Sequence, residues 1–309
     1  MEDYRCPCAA HSELARGDGN YVCSRCNLQF PLVNGIPILL DESNSVFAIN
    51  DYLGGSSYQG ASHDHSATGF RQFYRQFARA IMDSQPKRRG FDSNSAISYV
   101  CDRASSAPRI LVIGAGYASY EADAEIVYTD VSFGNRVQCI CDAHGLPFPE
   151  SYFDLILAVA VLEHVADPYR CLHEIHRVLK PDGFVYSATP FLQPVHMGAY
   201  DFTRFTPLGH RRLHRWFDEI TSGIALGPGA VLAWSIRYYI LSLSDNGRYR
   251  RIARLAGAVL TLPLRWSDLL FRGKIGAWDM AGGAYFFGQR RLSPIPDREI
   301  LKSYRGRDA

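Results

Sequence analysis

Residues 141–190, CDAHGLPFPESYFDLILAVAVLEHVADPYRCLHEIHRVLKPDGFVYSATP, constrain the fold more than any other stretch. Residues 153–161 (FDLILAVAV) form an apolar run of strand length without polar alternation. That is the pattern of a strand covered on both faces, as in a parallel sheet. Asp167-Pro168 opens a helix, with Asp as N-cap and Pro at the first helical position, where a missing N–H costs nothing. Cys171, Leu172, Ile175, Val178 and Leu179 recur at helical spacing. Lys180 falls in the last turn and Pro181-Asp182-Gly183 ends the helix. Residues 184–188 read as the next strand, which makes a βαβ unit with a right-handed crossover. On the helix's polar face, His173 and His176 read as solvated.

Upstream, residues 109–113 form a strand followed by Gly114-Ala115-Gly116, a turn whose glycines let the backbone approach a ligand and offer N–H donors. Residues 117–125 leave room for two turns of helix before a strand at 125–130. Asp130 ends that strand, where a carboxylate can accept hydrogen bonds from vicinal ribose hydroxyls. A third strand, 138–141, ends in Asp142. Open α/β sheets build their sites from such carboxyl-end positions. Leu162-Glu163-His164-Val165 leaves the same edge, and Glu163 and His164 are either chemical or architectural there. The loop 191–206 leaves it too, with aromatic rings, His196, Asp201 and Arg204. His196 can take a proton from an acceptor, and Arg204 can meet a carboxylate or phosphate; alternatively Asp201 and Arg204 pair and brace the loop. A helix from Thr206-Pro207 to Trp216 and strands starting at 217 and spanning 284–290 follow.

At the N-terminus, Cys6, Cys8, Cys23 and Cys26 are soft ligands in two pairs, the set that holds zinc in a tetrahedron. The first pair is one residue short of ribbon spacing, and His11 is an alternative ligand. Residues 43–69 are rich in Ser, Gly, Asn and Asp and read as a linker or lid; His63-Asp64-His65 lies in it as a solvated loop or a metal site. Thr68 then caps a helix with a stripe from Phe70 to Ile81, and residues 95–103 form a second, short helix.

The chain has 309 residues, 47% of them apolar, and a formal charge of +2. It is long enough for roughly two domains and a full core, and carries no overall field for nucleic acid, although a local basic patch remains open. The opening MEDYRCPC has no apolar signal region, and no apolar run reaches the ~18 residues of a membrane span. A cytoplasmic location is expected, and with it eight cysteines that are thiols or metal ligands rather than disulfides. The C-terminal third is apolar and basic. Residues 231–243 form a helix; Arg248, Arg250, Arg251, Arg254, Arg265, Arg272 and Lys274 follow, against Asp268. Such a segment lies on an anionic membrane surface, packs over the sheet or forms a dimer interface.

The words DAHGLPFPESYFD, VLEHV, HRVLKPDGF and the TP after the next strand, in that order and spacing, resemble the core of class I S-adenosylmethionine (SAM) methyltransferases of the bacterial methyltransferase-domain type. The resemblance implies an α/β fold: a Rossmann-like seven-stranded sheet, mostly parallel with the last strand antiparallel, and helices on both faces. It implies SAM held by Gly114, Ala115, Gly116, Asp130, Val131, Asp142, Ala143 and Ala160, with Asp142 taking the adenine amino group. His196 is then the base, and Tyr200 and Arg204 face the acceptor. The sequence departs from the family at Val112, where an acidic residue is usual, and at Ala118, where a third glycine is usual. FPLVNGIPILL, residues 30–40, resembles the close of Trm112-type zinc ribbons, which implies zinc on the four cysteines. The implied organisation is a ribbon (1–42), linker and capping helices (43–108), a methyltransferase domain (109–291, with a helical insertion at about 229–275) and a tail (292–309). The implied reaction is methyl transfer to oxygen or nitrogen on a small-molecule, glycan or lipid-linked acceptor; the basic, apolar C-terminal helices, on one of the readings open for them, would touch the inner face of a membrane. An RNA methyltransferase gripping RNA through the ribbon, or a non-catalytic binder of the same fold, are the alternatives.

Overall fold

The computed structural model describes residues 3–8, 10–55, 90–271 and 273–307. The helix expected from Thr68 to Ile81, the His63-Asp64-His65 triplet and Arg272 lie outside the described residues. In chain order the strands and helices are β1 (Leu14–Arg16), β2 (Asn20–Cys23), β3 (Gln29–Val33), β4 (Ile36–Leu39), α1 (Ser93–Cys101), β5 (Arg109–Ile113), β6 (Glu125–Asp130), β7 (Cys139–Cys141) and β8 (Phe153–Val159). They continue as α2 (Pro168–Val178), β9 (Leu179–Pro190), α3 (Pro207–Leu213), β10 (Phe217–Leu226), α4 (Pro228–Ser242), α5 (Gly247–Leu260), α6 (Leu262–Trp266), α7 (Gly276–Asp279), β11 (Gly283–Arg290) and α8 (Asp297–Ile300).

Seven strands run in the order β7-β6-β5-β8-β9-β11-β10, parallel except β11, which is antiparallel to both neighbours. The N-terminal unit does not form a separate sheet. Its last strand, β4, adds in parallel to β7 through Ile38↔Ile140 and Leu39↔Cys141, extending the sheet to eleven strands. Residues alternate between two cores, one on each face: Leu111 and Ile113 face a cluster with α2 and the ribbon's Tyr4, Cys6 and Phe30. Ile110 and Val112 face the other, with α1 and Tyr52. The period of two follows from strand geometry.

The βαβ unit forms as its residues dictate. The Asp167 carboxylate accepts from the Arg170 N–H at 3.0 Å, Pro168 occupies the first turn, and Cys171, Leu172, Ile175 and Val178 are buried. The helix ends earlier than its spacing predicts. Lys180 already lies in β9, where its ammonium meets Asp154 of β8 at 2.8 Å, and that cross-strand contact holds the chain extended through Pro181-Asp182-Gly183. No helix forms over 117–124, which turns and bends directly into β6. The Tyr120 N–H donates to the Tyr128 hydroxyl at 3.1 Å, a contact across to the next strand that a helical turn would break. His176 is half-buried rather than solvated: its Nε2 donates to the Arg291 carbonyl at 2.8 Å and its ring lies 5.3 Å from Trp216. Residues 292–307 pack back onto the body, with Ile300 buried and Asp297 accepting from Arg212 at 2.9 Å.

Candidate functional site

The carboxyl tips of β5, β6, β7 and β8 open on one cleft of about 160 Å³. Gly114, Asp130, Val131, Asp142, Ala143 and Ala160 all line it. Ala115, Gly116, His196 and Arg204 stand outside that lining.

The loop after β5 is fixed by its backbone. Gly114 has φ +63°, and a Cβ there would meet Val161 Cγ2 at 2.5 Å, so only glycine fits. Ala115 N–H donates to the Thr129 carbonyl at 2.9 Å, and Gly116 N–H donates to Asp130 Oδ2 at 2.7 Å. Asp130 Oδ1 accepts from Ser132 N–H at 2.8 Å. Two amides thus orient the carboxylate on the cleft wall.

Asp142 is differently placed from the expectation of a carboxylate that waits for an adenine amino group. Its Oδ1 accepts from His144 N at 3.0 Å and Nδ1 at 2.6 Å, and its Oδ2 accepts from Ser45 Oγ at 2.6 Å. Burial pushes this carboxyl up, but the bonds and charge of His144 and the Ser45 hydroxyl outweigh it and hold the group below the usual carboxylate range. His144 Nε2 accepts from Asp167 N–H at 2.9 Å, which leaves the Nδ1 proton for Asp142. Asp142 is therefore a cleft wall that braces the segment carrying Ala143. Sequence reasoning missed Ser45, Phe47 and His144. Phe47 stacks on Tyr200 (5.7 Å between centroids, 9° between planes), and both rings line the cleft. The one signal for it was the first of three aromatic residues in a polar linker.

The loop 191–206 holds the arrangement in which Asp201 and Arg204 pair. Arg204 Nη2 donates to Asp201 Oδ2 at 2.6 Å and Nη1 donates to Oδ1, while Nε donates to the Gln193 carbonyl at 3.0 Å. Those hydrogen bonds keep Asp201 well below the usual carboxylate range. Arg204 braces this loop instead of facing the cleft, because Asp201 and the loop carbonyls occupy its planar fork. Behind it, His196 Nε2 stands 3.0 Å from His164 Nε2. Glu163 is buried beside them, and burial raises its carboxyl to about 7. Burial lowers both His164 and His196.

In the ribbon, the four sulfurs of Cys6, Cys8, Cys23 and Cys26 lie within 4.8 Å of one another, with Cys6 and Cys26 at 3.6 Å. Burial opposes ionisation of Cys23, but the backbone N–H groups of Cys26 and Arg25 outweigh it and bring that thiol down to about 7. His11 is not part of this group; its Nε2 faces Glu174 at 3.7 Å. Four unbridged thiols this close fit a tetrahedral thiophilic ion despite the short first pair.

Residues 113–187 match a family model described as Methyltransferase domain. The ubiquinone/menaquinone biosynthesis C-methyltransferase UbiE of Ralstonia nicotianae is 38% identical over 72 residues, 23% of this chain and 29% of that protein. The mitochondrial arginine-hydroxylase NDUFAF5 of Rattus norvegicus is 34% identical over 105 residues, 29% of this chain and 31% of that protein. The chain spans under a third of the length of these curated relatives. Among solved structures, phosphoethanolamine N-methyltransferase 2 of Haemonchus contortus with SAM aligns over 74% of this chain and 61% of that chain, at 17% identity and a TM-score of 0.43. The matched stretch is a methyltransferase domain of the class I, SAM-dependent type. The relatives include a C-methyltransferase and a hydroxylase, so the comparisons leave the acceptor open.

Proposed function

We propose that this chain transfers the methyl group of SAM to an oxygen or nitrogen on a small-molecule, glycan or lipid-linked acceptor. The observation that carries the reading is the convergence of Gly114, Asp130 and Ala143, from three strand tips, on one cleft. Bound there, SAM supplies an electrophilic methyl on a sulfonium sulfur. The Gly114-Ala115-Gly116 turn keeps backbone close to the ligand. Asp130 accepts the ribose hydroxyls, and Val131, Ala143 and Ala160 flank the adenosine. Phe47 and Tyr200 close the cleft against water. His196, kept neutral at physiological pH by burial, takes the acceptor's proton. Arg204 holds His196's loop through Asp201.

The same reading places zinc on Cys6, Cys8, Cys23 and Cys26 as a structural ion, and the exposed face of α5 and α6 on an anionic membrane. None of the described helices is long and apolar enough to cross one.

Isothermal calorimetry of the full chain with SAM and S-adenosylhomocysteine tests the proposal. Saturable binding is expected, weakened roughly tenfold or more by Asp130→Ala, since charge-assisted hydrogen bonds are lost. A folded chain that gives no heat at millimolar cofactor sinks the reading and favours a non-catalytic binder, the class that Val112 and Ala118 would suit.

A further inference from the structure

Beside the cleft, Glu163, His164 and His196 bring a carboxylate and two imidazoles together, with one ligand atom from each within 4.8 Å of the others. Glu163 is 1% exposed, and neither of its carboxylate oxygens takes part in a hydrogen bond among the described residues. A buried carboxylate without a partner is expensive, so its presence asks for a group that the described residues do not provide.

His164 is held as a ligand is held. His164 Nδ1 lies 2.8 Å from the Tyr200 carbonyl, which can only accept, so Nδ1 carries the proton and Nε2 presents its lone pair. His196 Nδ1 faces Asp201 Oδ2 at 3.4 Å, with Arg204 Nη2 also at 3.4 Å. The carbonyl behind His164 is the outer arrangement that orients metal-bound histidines. His196 Nδ1 instead accepts from Arg204 Nη2, so metal binding requires the His196 proton to move from Nε2 to Nδ1, toward Asp201 Oδ2. The Nε2 atoms then meet at 3.0 Å, and Glu163 Oε1 stands 3.7 Å from His164 Nε2. Those separations bracket the ~3.4 Å edge of a tetrahedron with metal–ligand bonds of about 2.1 Å. A plain His–His hydrogen bond would account for the 3.0 Å contact, but it would leave Glu163 unpaired.

We propose that Glu163, His164 and His196 bind one divalent first-row transition-metal ion at the acceptor edge of the cleft, with open coordination positions for the acceptor's heteroatom. Carboxylate and imidazole suit manganese, iron(II) or zinc, whereas the ribbon's thiolates select softer ions. The chemical role deepens the methyl-transfer reading and rests on it. An acceptor hydroxyl bound to the ion loses its proton to water, and the ion keeps its oxidation state. The resulting oxygen pair forms the new bond to the methyl carbon, while the C–S bond breaks and sulfur keeps its electrons. His196 then acts as a ligand rather than as the base. His164 links the two sites, because it also lines the cleft.

The test uses the full chain, stripped of metal, titrated with Mn²⁺ and followed by loss of the free-ion EPR signal, with S-adenosylhomocysteine calorimetry on the same preparation. One Mn²⁺ per chain is expected. Glu163→Gln and His196→Asn should each weaken it roughly 100-fold, and Asp201→Asn about 10-fold, as removal of an orienting partner does. Cys6→Ser should leave it unchanged, which separates this site from the ribbon. S-adenosylhomocysteine binding that survives Glu163→Gln reports that the variant folds, and His196→Asn repeats the test on the loop. Absence of Mn²⁺ binding in a chain that binds S-adenosylhomocysteine overturns the metal site and leaves methyl transfer standing. So does Mn²⁺ binding indifferent to both substitutions. Mn²⁺ binding that depends on them, in a chain without cofactor affinity, supports the site and sinks the methyl-transfer reading instead.

Discussion

His210, buried on α3, and His214, buried at its C-cap, bracket the Ser187 hydroxyl of β9 at 3.0 and 2.7 Å. His214 Nδ1 donates to the His210 carbonyl at 2.8 Å, so its Nε2 accepts from Ser187, which in turn accepts from His210. Burial, with Arg211 adjacent, brings His214 down to about 3, and burial together with the charges of His214 and Arg211 lowers His210 well below its usual value. The sign follows. Between pH ~6.5 and the folded values the unfolded chain binds protons that the native chain does not, so stability falls as pH falls through that window. At pH ~5 His214 should cost about 2 kcal/mol relative to neutral pH, and His210 adds a cost of the same sign. Urea unfolding at several pH values checks this: His214→Gln should visibly flatten the slope, and an unchanged slope would refute it. Gly114→Ala is a second case at this scale. Its positive φ and the 2.5 Å approach to Val161 predict a loss of roughly 1–3 kcal/mol and weaker S-adenosylhomocysteine binding, read by unfolding and calorimetry. Asp130 was legible in the sequence because strand-end position alone selects it. The hold on Asp142 was not, since Ser45, 97 residues away, and the His144 tautomer exist only in three dimensions.

At the scale of elements, the ribbon and the sheet share one core. Tyr4 donates from its hydroxyl to the Gln138 carbonyl at 3.2 Å, Arg5 N–H donates to the Pro147 carbonyl at 3.0 Å, and β4 covers the edge of β7. Uncovered, that edge would be a template for pairing between chains. The ribbon should therefore not melt on its own. With zinc on the cysteines as proposed, a chelator should lower the single unfolding temperature of the whole chain by several degrees, at about 2–4 °C per kcal/mol lost. A separate low-temperature transition in differential scanning calorimetry would contradict the shared core. The βαβ unit over 153–190 was readable because its caps, apolar run and helical stripe are local signals that agree with the global fold. The join of β4 to β7 was not, because a strand's pairing partner is chosen by burial far along the chain. The trimmed segment at 117–124 was misjudged for the same reason: length allowed a helix, but the Tyr128 hydroxyl took the Tyr120 amide.

For the whole molecule, the question is where an acceptor comes from. The helices α5 and α6 present Ile252, Val259, Leu260 and Trp266 at 71%, 55%, 68% and 49% exposure, beside the exposed Arg248, Arg251 and Arg254. Two residues counted in the basic run do not belong to that surface. Arg265 is 3% exposed, and Asp268 is buried, where it accepts from Gly229 N–H at 2.7 Å and fixes the start of α4. With Asp268 withdrawn, the exposed charge near the apolar ridge is more uniformly positive than the sequence count suggests. Apolar side chains flanked by arginines match an anionic bilayer, in which the rings and aliphatic groups enter the interface and the guanidinium groups meet lipid phosphates. Flotation of the full chain with vesicles should accordingly show binding to anionic lipid, none to zwitterionic lipid, and loss at high salt. Arg251→Gln and Arg254→Gln should each weaken it on the order of fivefold, since a basic residue near the surface contributes about 1 kcal/mol. Leu260→Ser should weaken it independently of salt, because the apolar contribution is not screened. Equal flotation with neutral vesicles, or none with anionic ones, would remove the membrane from the reading and turn this face over to intramolecular packing or to a second copy of the chain.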